Sequence, residues 1–241
     1  MKRFKILATA VAAVYLSFSF SACNSGEETK KADMPVDTVA QKMDVAPIAK
    51  PSDILIIMHK VANFAKWRPV FEANDSMQKT FGLHNYVLAR GAKDSNMVML
   101  VIKIDDVAKA KEFAQSADLK TKMKAAGVIG APVFSYINIQ MVDTSANLQT
   151  ARVMFTHKVK DWDAWKKEFD SHKQVRLDAG LSDRAVGYSI DDNHMVTVVC
   201  SVNDMKKAEA FVGSKELKEK MAAAGVEGAP TLFYYNVVQR Y

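Results

Sequence analysis

A chain of 241 residues with 49% apolar and 25% charged side chains can bury a sizeable core, which excludes a disordered chain or a fibre. Its formal net charge is +6, from 33 Lys and Arg against 27 Asp and Glu, and Lys2, Arg3 and Lys5 supply three of those cations before any folded region begins. The balance that remains is spread along alternating runs such as Lys215 to Lys220, a solvated face and not a basic stripe, so nucleic acid is not an expected partner.

In chain order, the three early cations precede an apolar run from Ile6 to Phe20 and then Ser21-Ala22-Cys23. The run is shorter than the roughly 20 residues a bilayer-spanning helix needs, so it reads as a cleaved export signal over residues 1–22. Phe20-Ser21-Ala22-Cys23 resembles a bacterial lipobox, with Phe20 where such boxes usually carry Leu. That resemblance implies acylation of Cys23, a membrane partner through the lipid, and a place in the cell envelope on the periplasmic or cell-surface side. Residues 23–52 are polar and contain Pro35, Pro47 and Pro51, the composition of a flexible linker. With Cys23 acylated, Cys200 has no partner in the chain and reads as a small core residue.

From residue 54 onward the chain is an internal duplication. His59-Lys60-Val61, Trp67 and Phe71 return 98 positions later as His157-Lys158-Val159, Trp165 and Phe169, with roughly a third of positions identical and no gap. One repeat is expected over 53–141 and a second over 152–241. In the first, Ile54 to Val61 is a strand apolar on both faces, with His59 on one of them. Asn63 is an N-cap for a helix ending near Gly82, in which Pro69 predicts a kink or break; Lys167 at the matching place predicts a straighter helix in the second repeat. Strands follow over 83–92 and 97–104. Asp105 caps a helical stretch to Ala126 with an interruption near Ser116, Gly130-Ala131-Pro132 form a turn, and a last strand starts at Val133. In the second repeat Asp161 is the cap, and strands at 181–190, 195–202 and 231–239 flank a helix over 204–224.

The order strand, helix, strand, strand, helix, strand, used twice, is α+β with two ferredoxin-like βαββαβ units. Helices on one side of each sheet leave an apolar face bare, and exposing it costs about 25 cal/mol per Å². The two bare faces are therefore expected to pack on each other, as a barrel within one monomeric chain.

Asp161-Trp162, Trp165-Lys166, Phe169-Asp170, Arg176, Phe211, Ala224-Gly225-Val226 and Ala229-Pro230, with the matching first-repeat residues, resemble the dimeric α/β-barrel proteins grouped with the antibiotic-biosynthesis monooxygenases. The resemblance covers residues 53–239 and implies the same ferredoxin-like fold. It implies no single chemistry, since the superfamily includes cofactor-free oxygenases, haem-degrading enzymes, isomerases and members without known activity, and this chain resembles the last group most.

His59 and His157 are expected to line the barrel as acid, base or ligand groups, or to make a shared structural hydrogen bond. His172 and Arg176 lie one turn apart where the first repeat has Asn74 and Gln78, so the second repeat is the favoured site, and Arg176 needs either solvent or a carboxylate from protein or ligand. Trp67 and Trp165 are core residues or an aromatic wall. Tyr136 and Tyr234, with Asn138 and Asn236 two residues on, are expected either to point a hydroxyl and an amide into the same cavity or to serve edge-strand pairing. The leading expectation is a lipid-anchored barrel binding a small apolar or aromatic molecule, with no cofactor and no metal. The alternatives are an oxygenase with His157 as base and His172 and Arg176 orienting substrate, cofactor-independent or using the haem that the resemblance allows, and a non-catalytic envelope interaction module.

Overall fold

The computed structural model describes residues 52–241. The signal segment, Cys23 and the linker up to residue 51 lie outside the described residues. The first half runs β1 (Ser52–Val61), α1 (Phe64–Glu72), α2 (Asp75–Thr80), β2 (Leu83–Gly91), β3 (Met97–Ile104), α3 (Val107–Gln115), α4 (Ala117–Ala125) and β4 (Val128–Val142). The second repeats it as β5 (Ala151–Val159), α5 (Trp162–Ser171), α6 (Lys173–Asp178), β6 (Leu181–Ser189), β7 (Met195–Val202), α7 (Met205–Val212), α8 (Lys215–Ala223) and β8 (Val226–Arg240).

Short polar side chains start and stop the helices. Asn63 accepts from the Lys66 N–H at 3.0 Å and Asp161 from the Ala164 N–H at 2.7 Å, each satisfying an orphan donor of the first turn. The cap of α3 is Asp106, not Asp105: Asp106 has the extended backbone and accepts from the Lys109 N–H at 2.8 Å, while Asp105 pairs with His84. Ser116 and Ser214 accept from Leu119 and Leu217 N–H groups and begin new helices, so the stretch 204–224 is two helices where one was expected. Pro69 does not set the break in the first repeat. Helix α1 runs through it to Glu72, and both repeats break one turn later, at Ala73-Asn74 and at His172.

Both 15-residue strands begin earlier than expected. Gly130-Ala131-Pro132 is not a turn but lies within β4, where Gly130 takes φ +73° and the pairing register with β1 shifts between Met58 and Lys60; Gly228 repeats this in β8. A bulge kinks a strand without ending it, and glycine permits the left-handed backbone.

Strand order β4-β1-β3-β2 in one half and β8-β5-β7-β6 in the other leaves four edges, and these pair antiparallel across the halves, β2 with β8 and β4 with β6. The result is one closed eight-stranded barrel, so the strand expected at a sheet edge finds its second neighbour in the other repeat. Alternation along each strand sends residues to two destinations. Leu55, Ile57 and Val61 join Trp67, Phe71 and Phe113 beneath the first-repeat helices, Val153 and Val159 join Trp165 and Ala208 beneath those of the second, and Ile54, Ile56, Met99, Ile137, Met154 and Tyr235 meet inside the barrel.

Candidate functional site

The parity that sends Leu55 and Ile57 to the helix side also carries His59, and Val153 carries His157 with it. The expectation that these imidazoles line the barrel is thus corrected: they are buried between sheet and helices, 3% and 6% exposed. His59 lies 5.5 Å from Trp67 between ring centroids, tilted 56°, and His157 lies 5.4 Å from Trp165, tilted 60°. Neither ring nitrogen of either histidine has a hydrogen-bond partner, and burial lowers both pKa values to about 4, so both are neutral at pH 7. Trp67 and Trp165, 3% exposed, stack on Phe71 and Phe169 at 4.9 and 5.0 Å.

In the second repeat a cleft of about 90 Å³ brings together His157, Trp165, His172 and Arg176, walled by Phe155, Val175 and Phe211. The corresponding first-repeat cleft, with His59, Trp67, Asn74 and Gln78, is about 40 Å³. Arg176 is already satisfied. Its Nε and Nη2 donate to the two oxygens of Asp183 at 2.8 and 2.6 Å, Nη1 donates to the Phe169 carbonyl at 2.6 Å, and the guanidinium lies 3.6 Å over the Phe169 ring. The carboxylate it needs comes from the protein. The Cys200 thiol donates to Asp183 at 3.7 Å, and burial pushes its pKa up, which leaves it an unreactive thiol.

Tyr136 and Tyr234 do not share a cavity. Each packs on the helix side of its own half, Tyr136 against the first-repeat core with the Lys111 ammonium 5.4 Å from its ring, and Tyr234 against the second.

The largest space within the barrel is its interior, a lumen of about 370 Å³, inside the roughly 300–1,000 Å³ range of small-molecule sites. Ile54, Ile56, Val87, Met99, Met154 and Val199 make an apolar wall; Lys103, Asp143, Arg152, Arg184, Thr197, Tyr235 and Arg240 are its polar members. Arg184 donates to Asp143 at 2.7 Å. Burial works to raise the Asp143 pKa, but the hydroxyl and N–H of Ser145 and the Arg184 charge outweigh it and hold the carboxyl below its usual range. Burial lowers the Arg152 pKa, opposed by Tyr235 and helped by Arg240 and Arg184. No lumen residue was among the sequence candidates, although Arg152, directly before the apolar run Val153 to Phe155, was a readable signal.

The sequence matches no protein-family model and no curated protein. Solved structures do resemble it. An anthrone oxidase-like protein is 14% identical with a TM-score of 0.54, covering 81% of this chain and 96% of its own. A candidate chlorite dismutase is 14% identical at 0.52, covering 78% and 95%, and a candidate monooxygenase from Fusobacterium nucleatum is 13% identical at 0.50, covering 79% and 94%. This chain is a dimeric α/β barrel in one polypeptide. At such identities the likeness extends to the fold alone. The clefts holding His59 and His157, about 40 and 90 Å³, fall far below the roughly 300 Å³ at which such pockets begin, so as placed they do not fit a haem. The dimeric-barrel lumen is large enough for a sizeable ligand but is lined by neither histidine nor cysteine.

Proposed function

We propose that the barrel is a small-molecule-binding module whose lumen takes a small, largely apolar ligand, without a reaction of its own. The observation that supports this is the lumen itself, about 370 Å³ with an apolar wall and a few convergent polar groups, the composition of a binding site. Its one carboxylate, Asp143, is paired with Arg184 and held below the usual range, so it is a poor base. We also propose that the barrel acts as a monomer, since each of the eight strands already has two neighbours, and that it is tethered outside the cytoplasm through an acyl group on Cys23. Cys23→Ala should release the protein from membranes.

The test is calorimetric titration of the full-length chain with 2-naphthylmethanol, a neutral bicyclic probe. Val199→Phe, which fills the lumen, should abolish binding, and Val175→Phe, which fills the second-repeat cleft, should leave it intact. The reverse pattern would move the site to the cleft.

A second reading, a cofactor-independent oxygenase in that cleft, is favoured by the unpartnered nitrogens of His157 beside His172. Against it, a pKa of about 4 makes His157 a weak base and Arg176 is already bound to Asp183. Oxygen uptake with an anthrone, lost in His157→Ala and kept in His59→Ala, would establish it.

A further inference from the structure

The arginines of the lumen and Tyr235 have no counterpart in the first repeat. Arg152 stands where the first repeat has Ile54, Arg184 where it has Tyr86, Tyr235 where it has Ile137 and Arg240 where it has Val142. Duplication made two equivalent walls; the second carries three of the lumen's cations as arginines, the first only Lys103.

Arg152 is the innermost of these cations, 2% exposed. Its Nη1 donates to the Ala151 carbonyl at 2.9 Å and to Ser201 Oγ at 2.8 Å, and Asn147 Nδ2 donates to the same hydroxyl at 3.1 Å. Its Nη2 is buried and meets no acceptor. Leaving a charged donor unsatisfied in the interior is costly, so an acceptor from outside the chain is the economical explanation of such a group beside a cavity. Tyr235 is its cross-strand partner on β8 and lines the same space.

The surrounding charge points the same way. Of the lumen's four cations, Arg184 is neutralised by Asp143. Lys103 stands 4.4 Å over the Tyr86 ring, and no carboxylate among the described residues pairs with Lys103, Arg152 or Arg240. A cavity walled by low-dielectric side chains concentrates that excess.

We infer that the lumen recognises the carboxylate of a small amphiphilic acid, with Arg152 Nη2 as its inner donor and the apolar part of the ligand against Ile54, Ile56, Met99 and Met154. A monoanion suits the site better than a phosphate. Nη2 is free, Nη1 being held by Ser201 and Ala151, and a dianion would require several donors at once. The inference rests on the lumen being the binding site.

The experiment compares 2-naphthoate with 2-naphthylmethanol on the full-length chain, the two sharing a ring system and differing in charge. Naphthoate should bind roughly tenfold to a hundredfold tighter, the span of a charge-assisted hydrogen bond. Arg152→Met should erase that preference with the alcohol still bound, and Arg240→Gln at the exposed rim should weaken naphthoate alone. Inorganic phosphate should not displace it. Equal affinity for the two probes in the native chain overturns the carboxylate assignment and leaves the lumen as the site, as does displacement by phosphate. Failure of both probes to bind the native chain defeats the lumen reading itself. The native-chain comparison needs no variant to fold.

Discussion

At the scale of single residues, the second repeat carries a buried ion pair where the first carries amides: Arg176 and Asp183 stand at the positions of Gln78 and Asn85. Both charged side chains are about 10% exposed or less. Arg176→Gln alone should cost about 3–5 kcal/mol in urea unfolding, because it strands the Asp183 carboxylate. Adding Asp183→Asn, which writes the first repeat's pair into the second, should recover most of that loss. The histidines carry a pH signature of the opposite chemistry. Burial lowers both to about 4, so between that value and the roughly 6.5 of an unfolded chain the unfolded state binds the extra protons. Their contribution is complete above pH 6.5 and is lost as pH falls towards 4, by about 3 kcal/mol for each imidazole. Urea midpoints taken between pH 7.5 and 4.5 should show this fall, and His157→Leu should remove about half of it. That Arg176 must find either solvent or a carboxylate was legible from its place on an apolar stripe and its charge. That Asp183 supplies it was not, because the pairing depends on how α6 lies along β6.

At the scale of elements, strands were read more reliably than helix breaks. Strands β3 and β7 fall at 97–104 and 195–202 as expected, because a run apolar on both faces can only be a covered strand. The break at Ser116 falls where it was expected, but its counterpart at Ser214 was not foreseen, and the break in the first helix of each repeat was misjudged because a proline is conspicuous in sequence. Pro69 is exposed in a helix that continues past it, and the second repeat breaks at His172 with no proline present. The interruption therefore belongs to the packing of the helix on the sheet. Pro69→Ala should accordingly leave the break in place and stabilise the protein by about 1–3 kcal/mol, since it restores one backbone hydrogen bond in the interior of a short helix. A thermal melt measures the gain, and unchanged Trp67 fluorescence would show that the helix axis has not moved.

At the scale of the whole molecule, the two seams join the halves into one sheet, and they are not equivalent. In the β4–β6 seam Gly187 faces Ile139, and a Cβ there would stand 2.3 Å from the Asn138 carbonyl oxygen; the β2–β8 seam has Ala89 at the matching place. Gly187→Ala should force the seam apart at about 1–3 kcal/mol, the usual cost of overpacking. Because the seams connect the halves, fluorescence of Trp67 and of Trp165 should report a single earlier transition. Two separate transitions, with only the second repeat weakened, would mean that the halves fold independently.

The duplication, the order of elements and the need to cover two apolar sheet faces were all written in the order of residues, because hydrophobic period and burial energy are local and additive. Which face each histidine joins, how the four free edges pair, and the gathering of Arg152, Tyr235 and Arg240 about one cavity were not. The first and last depend on strand register, which sets Arg152 opposite Tyr235 across β5 and β8, more than eighty positions apart, and the second on closure of the ring; no local pattern connects such residues.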